Sequence, residues 1–263
     1  MLLSIGIVIE ILVTTVLPIG VGFWLNKKKD VSWRVIGYGA LAYIVMQTVV
    51  SLLFVGFGLL VENDILPLQD PALRITQVAL SIFLGAVVGV LIRWLGMDKI
   101  KEDLKNKRAA WGIALGFGGM EAIQLVGLPL ISTFWTMMTN ININPETTSL
   151  SPEIVAQLGE IWKTPFYIPL AGSLERLGAL VMHLAVTVLI LQVFKRNNKR
   201  LLAAAMGVEL LVNGLVAGLS EAGLGYVWVI LVAVVLMVGN IYLLRGMDAF
   251  DLEDEPELDI REA

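Results

Sequence analysis

The chain has 263 residues, 57% of them hydrophobic and 16% charged, with a mean hydropathy of +0.81. A soluble domain carries about 25% charged residues, so a soluble globular enzyme is excluded, and the lack of short alternating segments excludes a β-barrel. The chain has no cysteine, which excludes disulfides, thiolate metal sites and cysteine nucleophiles. Most of the acidic excess behind the net charge of -4 lies in the last residues, and the mildly basic remainder points to no nucleic-acid partner.

Apolar runs predict an all-α polytopic membrane bundle with spans at 2–25, 35–61, 73–96, 110–138, 165–194, 201–219 and 222–244. The first run has no basic n-region and no small-residue cleavage site, so it is expected to be a span and not a removable signal peptide. Lys27, Lys28, Lys29 and Arg34 follow span one. Lys99, Lys101, Lys105, Lys107 and Arg108 follow span three. Lys195, Arg196, Lys199 and Arg200 follow span five, and Arg245 follows span seven. The alternate loops hold Glu62, Asp64 and Asp70 with Arg74, then Asn140 to Lys163, then Glu221. The positive-inside rule then places the N-terminus outside and the tail in the cytoplasm of a prokaryotic plasma membrane. Residues 98–108 are expected to form a short amphipathic surface helix. Ser151-Pro152-Glu153 is expected to cap an external helix running to about Trp162. Residues 1–246 form the membrane domain, and 247–263 are too acidic and too poor in apolar residues to pack, so disorder is expected there. Tryptophans at 24, 33, 94, 111, 135 and 162 stand at span ends, as interface anchors do.

Several polar residues interrupt these runs. A charged group within a bilayer costs about 2.5–3.5 kcal/mol on insertion scales, so such groups face a bundle interior and mark function. At about 1.5 Å per residue, Glu121 lies roughly 16 Å from its basic helix end, His183 roughly 18 Å, Glu209 roughly 12 Å and Asn213 roughly 18 Å. Three helices thus supply polar groups near one depth in a core about 30 Å thick. Glu209 and Asn213 are four apart and share a helix face. Glu175 and Arg176 lie nearer the outer end, behind Pro165, Pro169 and Gly172, where a broken or re-entrant segment is the expectation. Their roles divide evenly between holding the bundle together and shaping a site. The glycine run at Gly112, Gly116, Gly118 and Gly119 reads first as close helix packing. Glu10, Glu62 and Glu221 read as solvated residues near the outer interface.

Gly118-Gly119-Met120-Glu121-Ala122, then Glu175-Arg176 with His183 seven residues beyond, then a polar helix ending in Asn213, resembles the YhfC family of intramembrane metallopeptidases. More distantly it is similar to the CAAX-processing and bacteriocin-processing membrane proteases. The resemblance covers roughly 110–220. It implies that Glu121 is the catalytic glutamate, His183 the first histidine, and Asn213 the polar residue closing a His-x-x-x-Asn motif. Glu209 stands where that motif expects its second histidine. A carboxylate there can still ligate a metal, so Glu121, His183 and Glu209 form an expected ligand set for a divalent ion such as Zn²⁺, with Glu175 and Arg176 shaping the site. No organic cofactor is expected.

Three activities follow from this reading. One is hydrolysis of a peptide bond in a membrane-embedded protein. Another is a catalytically inactive family member serving as a subunit or adaptor for fixed membrane partners. The third, a proton-coupled transporter, is weakened by the lack of an internal repeat.

Overall fold

A computed structural model of the chain describes residues 2–99, 105–140 and 150–252. Among them every regular element is helical, and seven helices are long and apolar enough to cross a membrane. The first span joins α1 (Leu2–Ile11) to α2 (Leu17–Lys29) through a π-helical turn, Leu12–Val16. Then come α3 (Trp33–Glu62) and α4 (Ala72–Asp98). The fourth span joins α5 (Lys107–Glu121) to α6 (Leu128–Thr139) through a second π turn, Ala122–Gly127. A short α7 (Pro152–Lys163) precedes α8 (Tyr167–Lys195), α9 (Arg200–Glu221) and α10 (Tyr226–Gly246).

The two π turns have a common cause. Pro18 and Pro129 sit inside apolar runs, and a proline has no N–H for the bond to the carbonyl four residues back. Each span widens by one residue just before its proline and then continues. The two π turns pack on each other, and Gly127 makes this possible, since a Cβ there would overlap Thr15. The expected break falls at residues 164–166, around Pro165 and between α7 and α8, and does not extend to Pro169. Pro169 falls in the first turn of α8, where an N–H has no intrahelical partner to lose, and the helix runs unbroken to Lys195. The short helix α7 starts as its sequence predicts, with the Ser151 hydroxyl accepting from the Ile154 N–H at 3.4 Å.

α8 is the central post. It touches α1, α4, α5, α9 and α10, and 61% of its most apolar stretch is buried inside the bundle, against 11% for α3 and α9. Its residues Met182–Leu191 pack with Ala110, Ile113 and Ala114 of α5 and with Val90 and Met97 of α4 to form the main core. α3 and α5 run side by side in the same direction. Gly39 lies against the Ile113 backbone and Gly116 against the Ile36 carbonyl, so a Cβ at either would strike main chain.

The basic loops gather at one end. Lys105 lies over the Phe194 ring at 4.4 Å. Residues 247–252, assigned to the tail by sequence, fold back on the start of α5. There Trp111 Nε1 donates to the Ala249 carbonyl at 2.7 Å, Lys107 to that of Asp251 at 3.1 Å and Arg108 to that of Leu252 at 3.3 Å. The rest of the acidic tail lies outside the described residues, as do residues 100–104 of the expected surface helix. At the opposite end an exposed Arg74–Glu221 ion pair at 2.9 Å ties α4 to α9.

Candidate functional site

Glu121 is the last residue of α5, immediately before the second π turn. His183 reaches it from α8, with Nε2 at 3.2 Å from Glu121 Oε2. The approach lies off the hydrogen-bond line, so neither imidazole nitrogen makes a hydrogen bond and the contact is one of proximity. Gly118 leaves the space for the ring, because a Cβ there would come 2.7 Å from His183 Cδ2. The other Glu121 oxygen, Oε1, lies 3.6 Å from Arg176 Nη1, and Arg176 also bonds the Glu175 carboxylate. Glu121 thus sits between an imidazole and a guanidinium.

Glu209 has a different partner. Arg93, on α4, bonds its carboxylate through Nη2 and donates from Nε to the Gly89 carbonyl at 3.0 Å. Both side chains are almost wholly buried. Phe117 joins the two ion pairs. Its ring carries Arg93 at 4.2 Å, lies 5.2 Å from the His183 ring, and receives Tyr43 edge-on at 5.4 Å.

A cavity of about 780 Å³ opens beside this cluster, lined by Tyr43, Glu121, Glu175, Arg176, Asn213 and Asn240 among others. Its walls run along α3 to Phe54, along α4 to Ser81 and along α9 to Ser220, towards the end opposite the basic loops. His183, Arg93 and Glu209 do not line it. The Glu121 side chain is 19% exposed and that of His183 2% exposed, so the carboxylate faces the cavity with the imidazole behind it.

The chain matches the YhfC intramembrane metalloprotease family over residues 13–236, most of its length. It belongs to that family. The chain is also similar to the uncharacterized membrane protein YhfC of Bacillus subtilis (strain 168), which is 22% identical over 217 residues, covering 75% of this chain and 77% of that protein. No solved structure matches the chain.

The family's description implies a metal, and the residues present do not fit one as they are arranged. A catalytic zinc takes three protein ligands. Of the expected set, Glu121 and His183 meet, whereas Glu209 is held by Arg93. No group of three His, Asp or Glu residues suited to a metal ion occurs among the described residues. A dication bridging these carboxylates would also lie close to the Arg93 and Arg176 guanidinium groups. Each repulsion would cost several kcal/mol even at an effective dielectric of about 20.

Sequence reasoning places Glu121, His183, Glu209 and Asn213 at one depth, with Glu175 and Arg176 nearer the outer end, and all six lie in or beside this cluster. It passed over three neighbours. Arg93 stands close to the basic end of its span, where a long cation is expected to reach for the headgroups. Tyr43 reads as an ordinary core aromatic. Glu10, taken for a solvated residue, instead packs its carboxylate on Gly172, one turn before Glu175 and Arg176. The usable signal for Glu10 is Gly172 itself, since the absence of a Cβ there makes room for the carboxylate.

Proposed function

We propose that this protein hydrolyses a peptide bond of a membrane-embedded protein, with Glu121 activating water from the cavity. The observation that supports the reading is the position of Glu121, which lines a cavity among the spans with Arg176 beside one carboxylate oxygen and His183 beside the other. In the reaction, water enters beside Glu121 and its oxygen attacks the carbonyl carbon. One water proton passes to the carboxylate, and Glu121 then delivers it to the leaving nitrogen as the C–N bond breaks. His183 does not line the cavity and serves as a positioning residue for Glu121. Asn213, across the cavity, orients the water or the developing oxyanion. Glu175 fixes Arg176. No step is routed through a metal.

The second reading is an inactive subunit for fixed membrane partners, and the buried Arg93–Glu209 pair favours it. A carboxylate at the position of an expected histidine, neutralised by an arginine, is a structural arrangement as much as a catalytic one.

The test uses the full chain in proteoliposomes with fluorogenic peptides that each contain one apolar stretch of about 20 residues. Glu121→Gln should lower cleavage by about 10²–10⁴-fold, the usual contribution of a general base, and exhaustive chelation should leave the wild-type rate unchanged. Cleavage that survives Glu121→Gln would remove Glu121 from the chemistry, and loss on chelation would refute water activation by the carboxylate alone.

A further inference from the structure

Five described residues carry buried side-chain nitrogen or oxygen atoms that make no hydrogen bond: Tyr43, Arg93, Asn106, Arg108 and His183. Of these, Tyr43 is the one that lines the cavity beside Glu121. We propose that the Tyr43 hydroxyl is a catalytic hydrogen-bond donor to the oxyanion formed when water attacks the substrate carbonyl, an assignment that rests on the peptidase reading above.

The placement follows from the α3–α5 contact. Gly39 meets Ile113 and Gly116 meets Ile36 and Ala40, so the two parallel helices are locked in register. One turn further along each, Tyr43 packs with Phe117 and Met120, next to Glu121 in sequence. The ring is fully buried and stands edge-on to Phe117, a task phenylalanine would perform equally well. The hydroxyl adds nothing to that packing, and burying it without a partner is unfavourable. A group that arrives in the cavity can supply the partner.

Two other donors beside Glu121 are already engaged or turned away. Arg176 is shared between Glu121 and Glu175. His183 lies behind Glu121 and outside the cavity wall. Tyr43 of α3 and Asn213 of α9 both line the cavity, and the Tyr43 hydroxyl, buried before substrate enters, is the group assigned to the carbonyl oxygen. As the water oxygen bonds to the carbonyl carbon, the C=O π electrons move onto oxygen and the Tyr43 O–H donates to that oxygen. On collapse the C=O bond re-forms, C–N breaks, and the nitrogen takes its proton from Glu121. Tyr43 keeps its own proton throughout. Such a donor acts on the transition state more than on the bound substrate.

The experiment measures kcat and KM separately on the same fluorogenic transmembrane peptides, with the full chain in proteoliposomes. Tyr43→Phe should lower kcat by about 10²-fold, the typical loss of one oxyanion donor, with KM nearly unchanged. Replacing Tyr43 by a series of fluorinated tyrosines keeps the ring and the hydroxyl and changes donor strength. The assignment expects log kcat to follow phenol acidity, whereas a packing role expects no slope. If Tyr43→Phe fails to fold, the fluorotyrosine series decides alone. A Tyr43→Phe kcat equal to wild type, or a flat series, overturns the assignment and leaves the peptidase reading standing. Wild-type protein that cleaves no better than Glu121→Gln overturns both.

Discussion

Arg93 and Glu209 are a guanidinium and a carboxyl group buried side by side in a bundle of apolar spans, and each is tolerable only because of the other. The Arg93 side chain is 0% exposed, with Phe117 beneath its guanidinium and the Gly89 carbonyl at Nε. Removing one member leaves the other uncompensated, which costs about 3–5 kcal/mol, whereas replacing both by apolar residues of similar volume is often neutral or stabilising. Arg93→Met is therefore expected to lower the thermal unfolding midpoint in detergent sharply, and the Arg93→Met/Glu209→Met double variant to recover it. If the single variant unfolds at the wild-type temperature, the pair is not holding α4 to α9. This coupling was hidden in the sequence. Intramembrane carboxylates and a lone histidine stand out against apolar neighbours, so Glu121, His183 and Glu209 were legible. Their partners were not, because pairing depends on how helices 116 residues apart in sequence are rotated towards each other.

Helices were the most legible feature of the chain, since an apolar run of 20 residues has few alternatives in a bilayer. All seven predicted spans correspond to helices long enough to cross. The internal form of those helices was harder to read. Pro18 and Pro129 could have signalled the π turns, but a proline can kink, break or widen a helix, and only packing selects among these. Glycine has the same ambiguity, because its meaning depends on what it faces. Gly116 and Gly20 look alike in sequence, yet a Cβ at Gly116 would strike the Ile36 carbonyl while one at Gly20 would meet nothing within 4 Å. Gly116→Val should push α3 from α5, moving Tyr43 away from Phe117. The expected cost is about 1–3 kcal/mol, as for overpacking elsewhere, together with loss of cleavage. Gly20→Val should leave both stability and cleavage unchanged. Equal midpoints for the two variants, measured by thermal unfolding in the same detergent, would show that the α3–α5 contact is not tight.

At the scale of the whole molecule, the two ends of the bundle differ in charge, and the cavity belongs to one of them. The basic loops meet at the end where α5, α8 and residues 247–252 come together. The cavity beside Glu121 extends the other way, towards Ser220 and Phe54. If the basic end faces the cytoplasm, as the positive-inside rule expects, the cavity extends towards the outer half of the membrane. The lack of native cysteine makes this orientation directly measurable. Lys28 lies in the last turn of α2 at the basic end, and Leu224 lies between α9 and α10 at the other; both are exposed. In intact cells, a membrane-impermeant maleimide should label Leu224→Cys and leave Lys28→Cys unmodified until the membrane is opened. The reverse pattern would place the basic end outside and turn the cavity towards the cytoplasm. Substrates would then be sought among proteins whose cleaved segment lies in the inner leaflet.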